Sequence, residues 1–193
     1  PKLMDWADRI AGDQYGPQRD AIRDAVNNPD NIYHQLILRI VRDVDTEVLK
    51  TTFVNFILNA NLIGWPKEEE ARKKYGCNIP WAILLDPTSA CNLHCTGCWA
   101  AEYGNKLNLT IDEIDDIIRQ GKELGVYMYI YTGGEPLVRK KDLIRLCETH
   151  SDCQFLCFTN ATLIDEAFAG EMLRVGNFIP AISLEGDEAS TDS

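Results

Sequence analysis

No stretch of this chain approaches the roughly 18 consecutive apolar residues of a membrane span. The opening residues, Pro1-Lys-Leu-Met-Asp-Trp-Ala-Asp-Arg, also lack the apolar core of a signal peptide, so a cytoplasmic location is the expectation. Positive charge is scarce: 19 Lys and Arg stand against 30 Asp and Glu, for a net charge of −11. That balance gives no general attraction to nucleic-acid phosphate or anionic lipid, and no nucleic-acid partner is expected. The one small basic cluster, Arg139-Lys140-Lys141, reads as a solvated helix start. Walker, G-x-S-x-G, H-E-x-x-H and EF-hand patterns are all missing, which removes the chemistries they support.

Cysteine, by contrast, is plentiful. Seven is an odd number, and without a secretory signal it points to metal binding and free thiols rather than disulfides. Three of them stand as Cys91-Asn-Leu-His-Cys95-Thr-Gly-Cys98, just after the apolar run Trp81-Ala-Ile-Leu-Leu85. Three thiolates on a tight loop can hold three corners of a cubic iron–sulfur cluster and leave one iron open. A metal centre with an open position is usually there for chemistry. A zinc loop is the competing reading, and His94 inside the triplet would be its fourth ligand.

The first 76 residues read as a helical segment. Asp30 or Asn31 can cap a helix through Asp43, with Ile32, Leu36, Ile40 and Val44 on one face. Asp45 can cap a second helix, which Gly64 is placed to end, and Trp65-Pro66 breaks the pattern before the charged run from Lys67 to Lys74. From residue 77 the rhythm changes. Strands are expected at Trp81–Asp86, Val126–Thr132, Gln154–Thr159 and Phe178–Leu184. Helices fall between them: one opened by the capping-box spacing of Thr110 and Glu113, one at Lys140–His150, and one at Asp165–Val175. This β-α-β-α-β-α-β order is that of an α/β parallel sheet, whose chemistry collects on loops at the carboxyl ends of the strands. The unusual loops all fall there: the cysteine triplet, Thr132-Gly-Gly-Glu-Pro136, Thr159-Asn-Ala-Thr162 and Ser183-Leu-Glu-Gly186.

The cysteine triplet after strand one, with Gly133-Gly134-Glu135-Pro136 one βα unit later, resembles the radical S-adenosylmethionine (SAM) enzymes over roughly residues 80–190. The neighbouring Thr-Asn-Ala-Thr and Ser-Leu-Glu-Gly strings look like the branch with peptide- and cofactor-maturing enzymes and haem- or lipid-modifying relatives. The resemblance implies a partial (β/α) barrel, with about four of six strands in this chain. A longer protein, or a partner chain, would complete it. It also implies that Cys91, Cys95 and Cys98 bind a [4Fe–4S] cluster whose fourth iron is chelated by SAM, and that a reductant such as flavodoxin or ferredoxin supplies the electron. The 5′-deoxyadenosyl radical so formed would take hydrogen from a small-molecule or peptide substrate.

By the same resemblance, Gly133 and Gly134 approach the methionyl part of SAM, and Glu135 accepts from its ammonium. Asn160, Ser183 and Glu185 lie where relatives contact the ribose or the carboxylate. Relatives commonly carry an aromatic just before the third cysteine. Here Gly97 stands there and Trp99 follows Cys98, so the adenine contact falls to Trp99 or to the Gly97 backbone. No residue is assigned as a catalytic acid or base. The alternative is a non-catalytic iron–sulfur or zinc module, or an inactive fragment. Cys77, Cys147, Cys153 and Cys157 read as ordinary thiols, and Tyr127, Tyr129 and Tyr131 as core packing on one face of strand two.

Overall fold

In a computed structural model, residues 16–98, 100, 103–104, 106–184 and 186–187 are described. Contacts divide the chain into two compact units, residues 1–46 and 47–193. In the first, α1 (Gly16–Asn27) and α2 (Ile32–Asp43) pack on each other. Asn31 caps α2 by accepting from the Tyr33 N–H. The stripe Ile32, Leu36 and Ile40 is apolar but exposed.

The second unit begins one residue into α3 (Thr46–Thr52) and continues with a wide π-helical stretch (Phe53–Gly64) and α4 (Trp65–Tyr75). They are followed by β1 (Ala82–Thr88), α5 (Ile111–Leu124), β2 (Met128–Gly133), a 3-10 turn (Pro136–Arg139), α6 (Lys140–Thr149), β3 (Gln154–Thr159), α7 (Glu166–Val175) and β4 (Phe178–Ile182). The four strands run parallel in the order β1-β2-β3-β4. Thr110 and Glu113 form the expected capping box at the start of α5.

The unit boundary lies thirty residues before the one the composition shift suggests, because residues 47–76 are tied to the sheet. Asn55 donates to the Ser151 and Cys153 carbonyls, both at 2.9 Å, and Asn59 donates to the Asp152 carbonyl at 2.9 Å. Phe56 meets Trp81 edge-on with ring centroids 5.6 Å apart, and Lys67 donates to the Tyr127 hydroxyl at 2.9 Å. All these partners precede a strand. Residues 47–76 therefore meet the chain just before β1, β2 and β3, at the amino ends of these strands.

Gly64 is the last residue of the π-helical stretch, but not a left-handed cap that stops the helical chain. Its backbone is right-handed helical and leads straight into α4, where Pro66 sits in the first turn and no missing N–H is felt. Glycine is needed there for proximity, since a Cβ on Gly64 would stand 2.3 Å from the Gly125 carbonyl oxygen.

One face of the sheet is sealed by α5, α6 and α7. Tyr129, Tyr131 and Phe155 are fully buried on it, with Phe155 stacked on both tyrosines at 5.8 and 5.6 Å. Tyr129 donates its hydroxyl to the Ile118 carbonyl at 3.0 Å. Side chains of this size contribute roughly 1.5–3 kcal/mol each on burial, which makes this face the core. The other face carries the row Leu84, Ile130, Leu156 and Ile179, in register across all four strands. Leu84 and Phe158 on it are exposed. Among the described residues no helix is long and apolar enough to cross a membrane.

Candidate cluster and cofactor site

The cysteine loop leaves β1 and returns to it. Ser89 N–H donates to the Leu107 carbonyl at 2.8 Å and Leu109 N–H to the Pro87 carbonyl at 3.1 Å, so residues 87–89 and 107–109 form a two-stranded stem beneath the loop. Thr88, buried at the base, accepts from the Ala90 N–H at 3.0 Å and hydrogen-bonds Asn108. Within the loop, Cys98 N–H donates to the Cys95 carbonyl at 3.2 Å, closing a turn in which Gly97 takes φ +77°. An aromatic residue would be strained in that left-handed conformation, which accounts for the glycine.

The glycine loop docks directly on this one. Gly134 N–H donates to the Thr88 carbonyl at 3.0 Å and Glu135 N–H to the Ala90 carbonyl at 2.8 Å. A Cβ on Gly134 would lie 2.3 Å from the Ala90 oxygen and 2.6 Å from that of Ser89, so no larger residue fits this backbone-on-backbone contact. Gly133 is both crowded, since a Cβ there would stand 2.7 Å from the Thr88 oxygen, and left-handed at φ +107°. Arg139 braces the assembly from below by donating to the Pro87 and Leu109 carbonyls and pairing with Asp142. Arg139-Lys140-Lys141 is thus no free basic patch: Lys140 is engaged by Leu163 and Asp165, and of the three only Lys141 is exposed.

Glu135 is 1% exposed. Its carboxylate accepts from Leu137 N–H (2.9 Å), the Thr159 hydroxyl (2.8 Å) and Asn160 N–H (2.8 Å), which ties β2 to β3. A carboxylate offers about four acceptor positions. Three are filled by neutral protein donors and one remains, on a buried anion with no cation among those hydrogen-bond partners. Buried charges are normally paired, so the site is chemically suited to an incoming ammonium.

A cleft of about 610 Å³ brings Cys91, Cys95, Cys98, Gly133, Gly134, Glu135, Asn160 and Ser183 onto one surface, with His94 beside them. These are all of the expected site residues except Trp99 and Glu185, which lie outside the described residues. Ser183 is held there by its backbone N–H on the Thr159 carbonyl at 3.0 Å. Cys91 is half-buried, and Cys95 and Cys98 are exposed. Among the described residues no three His, Cys, Asp or Glu side chains stand close enough to grip one metal ion. A cubic cluster takes each thiolate on a different iron, so its ligands stand apart around a cavity. Three soft thiol donors and a glycine floor beside a buried carboxylate fit a cluster with SAM.

No role was legible in sequence for Thr88, nor for Asn92, Thr162 and Arg139 inside their quoted strings; only the hydrogen bonds across the loops reveal what these four do.

A family model for the radical SAM superfamily matches residues 85–190. The PqqA peptide cyclase of Bradyrhizobium diazoefficiens is 31% identical over 126 residues, covering 63% of this chain and 32% of that protein. The GTP 3′,8-cyclase of Clostridium perfringens is 30% identical over 94 residues, covering 46% of this chain and 29% of the relative. The crystal structure of Streptococcus suis SuiB bound to precursor peptide SuiA superposes with a TM-score of 0.51 at 27% identity, over 62% of this chain and 28% of SuiB. The chain thus spans about a third of the length of the curated relatives it matches. Its cysteine loop, its glycine–glutamate loop and the parallel sheet that presents them agree with the family match, and the chain belongs to the radical SAM superfamily.

Proposed function

We propose that this chain carries the cluster and SAM site of a cytoplasmic radical SAM enzyme that modifies a peptide. The observation that carries the reading is the single cleft joining the three cysteines to Gly133, Gly134 and Glu135. Cys91, Cys95 and Cys98 would hold three irons of a [4Fe–4S] cluster. The Gly133-Gly134 backbone admits the methionyl end of SAM, and the open acceptor position of Glu135 takes its ammonium. Asn160, Ser183, Glu185 and Trp99 are assigned to the remainder of the SAM surface. A bound cluster with SAM would supply one-electron, radical-generating chemistry at this site, with flavodoxin or ferredoxin as the electron source.

A peptide substrate is favoured by two relatives, one named a peptide cyclase and one solved with a precursor peptide. A second cavity of about 670 Å³ adjoins Gly133 and Gly134 and is lined by Leu84, Asp86, Tyr103 and Lys106. We assign it to the substrate: an apolar wall with one acid and one base suits a peptide segment better than a lipid tail.

The test is anaerobic reconstitution of the full-length protein with iron and sulfide, followed by reduction in the presence of SAM. Formation of 5′-deoxyadenosine that disappears in Cys95→Ala is the expected result. A protein that binds zinc through the same loop and takes up no iron would sink the reading in favour of a three-cysteine, one-histidine site using His94.

A further inference from the structure

Three polar side chains at the rim of the cleft form a closed circuit of hydrogen bonds. Asn160 Nδ2 donates to Asn92 Oδ1 at 3.1 Å, Asn92 Nδ2 to Thr162 Oγ1 at 2.8 Å, and Thr162 Oγ1 to Asn160 Oδ1 at 2.7 Å. Each member gives one bond and takes one, so the donors all point the same way round the ring. Asn160 Oδ1 takes a second bond from the Thr162 N–H at 3.0 Å, which uses both of its lone pairs.

The ring joins segments far apart in sequence. Asn92 follows Cys91 inside the cysteine loop, whereas Asn160 and Thr162 follow β3. The backbone N–H of Asn160 is the one that donates to Glu135 Oε2 at 2.8 Å. An unbroken path of direct hydrogen bonds therefore runs from Glu135 through Asn160 to Asn92, the neighbour of Cys91.

The turn that makes this possible is strained. Between the two ring members that follow β3, Ala161 sits at φ +62°, and it is the one non-glycine with positive φ among the described residues. Its N–H is held by Thr159 Oγ1 at 3.0 Å and its carbonyl by Ile164 N–H at 3.0 Å. Strain of this kind persists where the surroundings over-determine it, and it collects at functional sites. Here it brings Asn160 and Thr162 round to face one amide. Exposed neutral hydrogen bonds add little to global stability, so what the ring supplies is position.

We propose that Asn92 and Thr162 are positioning residues which, through Asn160, hold the first turn of the cysteine loop against the glycine–glutamate loop and keep Cys91 where a cluster ligand must stand. The identity of what Cys91 binds rests on the reading above; the ring does not. Asn160 accordingly serves the ring through its side chain and has one amide hydrogen left for a ligand.

The test uses the full-length protein with Thr162→Val, Thr162→Ser and Asn92→Ala. In the iron-free protein, iodoacetamide labelling of Cys91, read by mass spectrometry, is expected to run several-fold faster in Thr162→Val and Asn92→Ala than in the parent. After reconstitution, a chelator should strip iron about 10-fold faster from these two variants, in line with other losses of outer-shell support. Thr162→Ser keeps the hydroxyl and should match the parent in both measurements, with thermal midpoints unchanged throughout. Parent-like labelling and iron release in Thr162→Val would overturn the proposal, as would a loss shared equally by Thr162→Ser. If the parent takes up no iron, the cluster reading fails, and the labelling rates still decide the ring.

Discussion

The chain contains two triplets of cysteine that could hardly differ more in setting. Cys91, Cys95 and Cys98 lie beyond the carboxyl end of β1, half-buried or exposed around a cleft. Cys147, Cys153 and Cys157 lie on α6, on the turn before β3 and within β3, all buried on the helix-covered face beside Tyr131. Burial pushes the Cys147 thiol well above its ordinary value and the Cys153 thiol up to about 12, with Asp152 adding to the latter. Cys157 is likewise raised by burial, with the Glu135 carboxylate adding to it. The thiolate is the metal ligand and the nucleophile, so the inner triplet is inert and serves as small apolar filling. The comparison teaches that position relative to the strand ends, rather than residue type or number, makes a cysteine chemical.

The comparison breaks most sharply under substitution. Cys98→Ala is expected to abolish iron retention after reconstitution, measured as iron and sulfide per chain. Cys147→Ala should leave both counts unchanged and cost about 1–2 kcal/mol in denaturant unfolding, the range for deleting a small buried group. Two glycines extend the contrast to the backbone. Gly134→Ala drives a Cβ into two carbonyl oxygens and should cost about 1–3 kcal/mol with loss of SAM binding by calorimetry. Gly170→Ala, in α7 with open space around it, should stabilise by about 0.5–1 kcal/mol. In the folded, iron-free chain at mildly alkaline pH, iodoacetamide should label Cys77, Cys91, Cys95 and Cys98 within minutes. Cys147, Cys153 and Cys157 should be labelled only in denaturant; labelling of the inner three at the same rate as the loop would dissolve the distinction.

The smallest effect concerns a buried acid on the structural side. Burial raises the carboxyl of Glu68 above its ordinary value, and the Arg72 guanidinium opposes the shift without cancelling it. The native state then holds its proton to higher pH than the unfolded chain. Its contribution is most favourable below about pH 4.3 and is lost as pH rises from there through the folded-state value. Carboxylates such as Asp165, lowered by Lys140 and the Phe168 N–H, give the opposite slope. The check is therefore a difference: thermal midpoints of parent and Glu68→Gln between pH 4 and 7 should converge at the acid end and separate as pH rises, the variant gaining.

Much of the fold was legible in sequence because its signals are local. The capping box at Thr110, the Asn31 cap and the left-handed glycines at 76, 125 and 176 each act within one turn of chain. The strand rhythm from residue 82 follows from runs of β-branched and aromatic residues bounded by polar turns. The contacts of segment 47–76 were not legible, because its partners, Ser151 to Cys153, are about a hundred residues away, and an Asn on a helix does not announce which carbonyl it will reach. Gly64 misled for a related reason: helix ending and close approach both call for glycine, and only the Gly125 backbone opposite tells them apart.

By itself the sequence determined the chemistry available to this protein. Three thiols at fixed spacing, two glycines and a carboxylate one βα unit later are covalent facts, and their order along the chain places them at one end of a parallel sheet. Only the tertiary structure decided how those groups are held. It turned the Glu135 carboxylate inward onto β3, closed the Asn92–Thr162–Asn160 ring across two loops, and buried the second cysteine triplet. Hydrogen bonds and burial between segments tens of residues apart depend on how the strands are brought together, which no local pattern encodes.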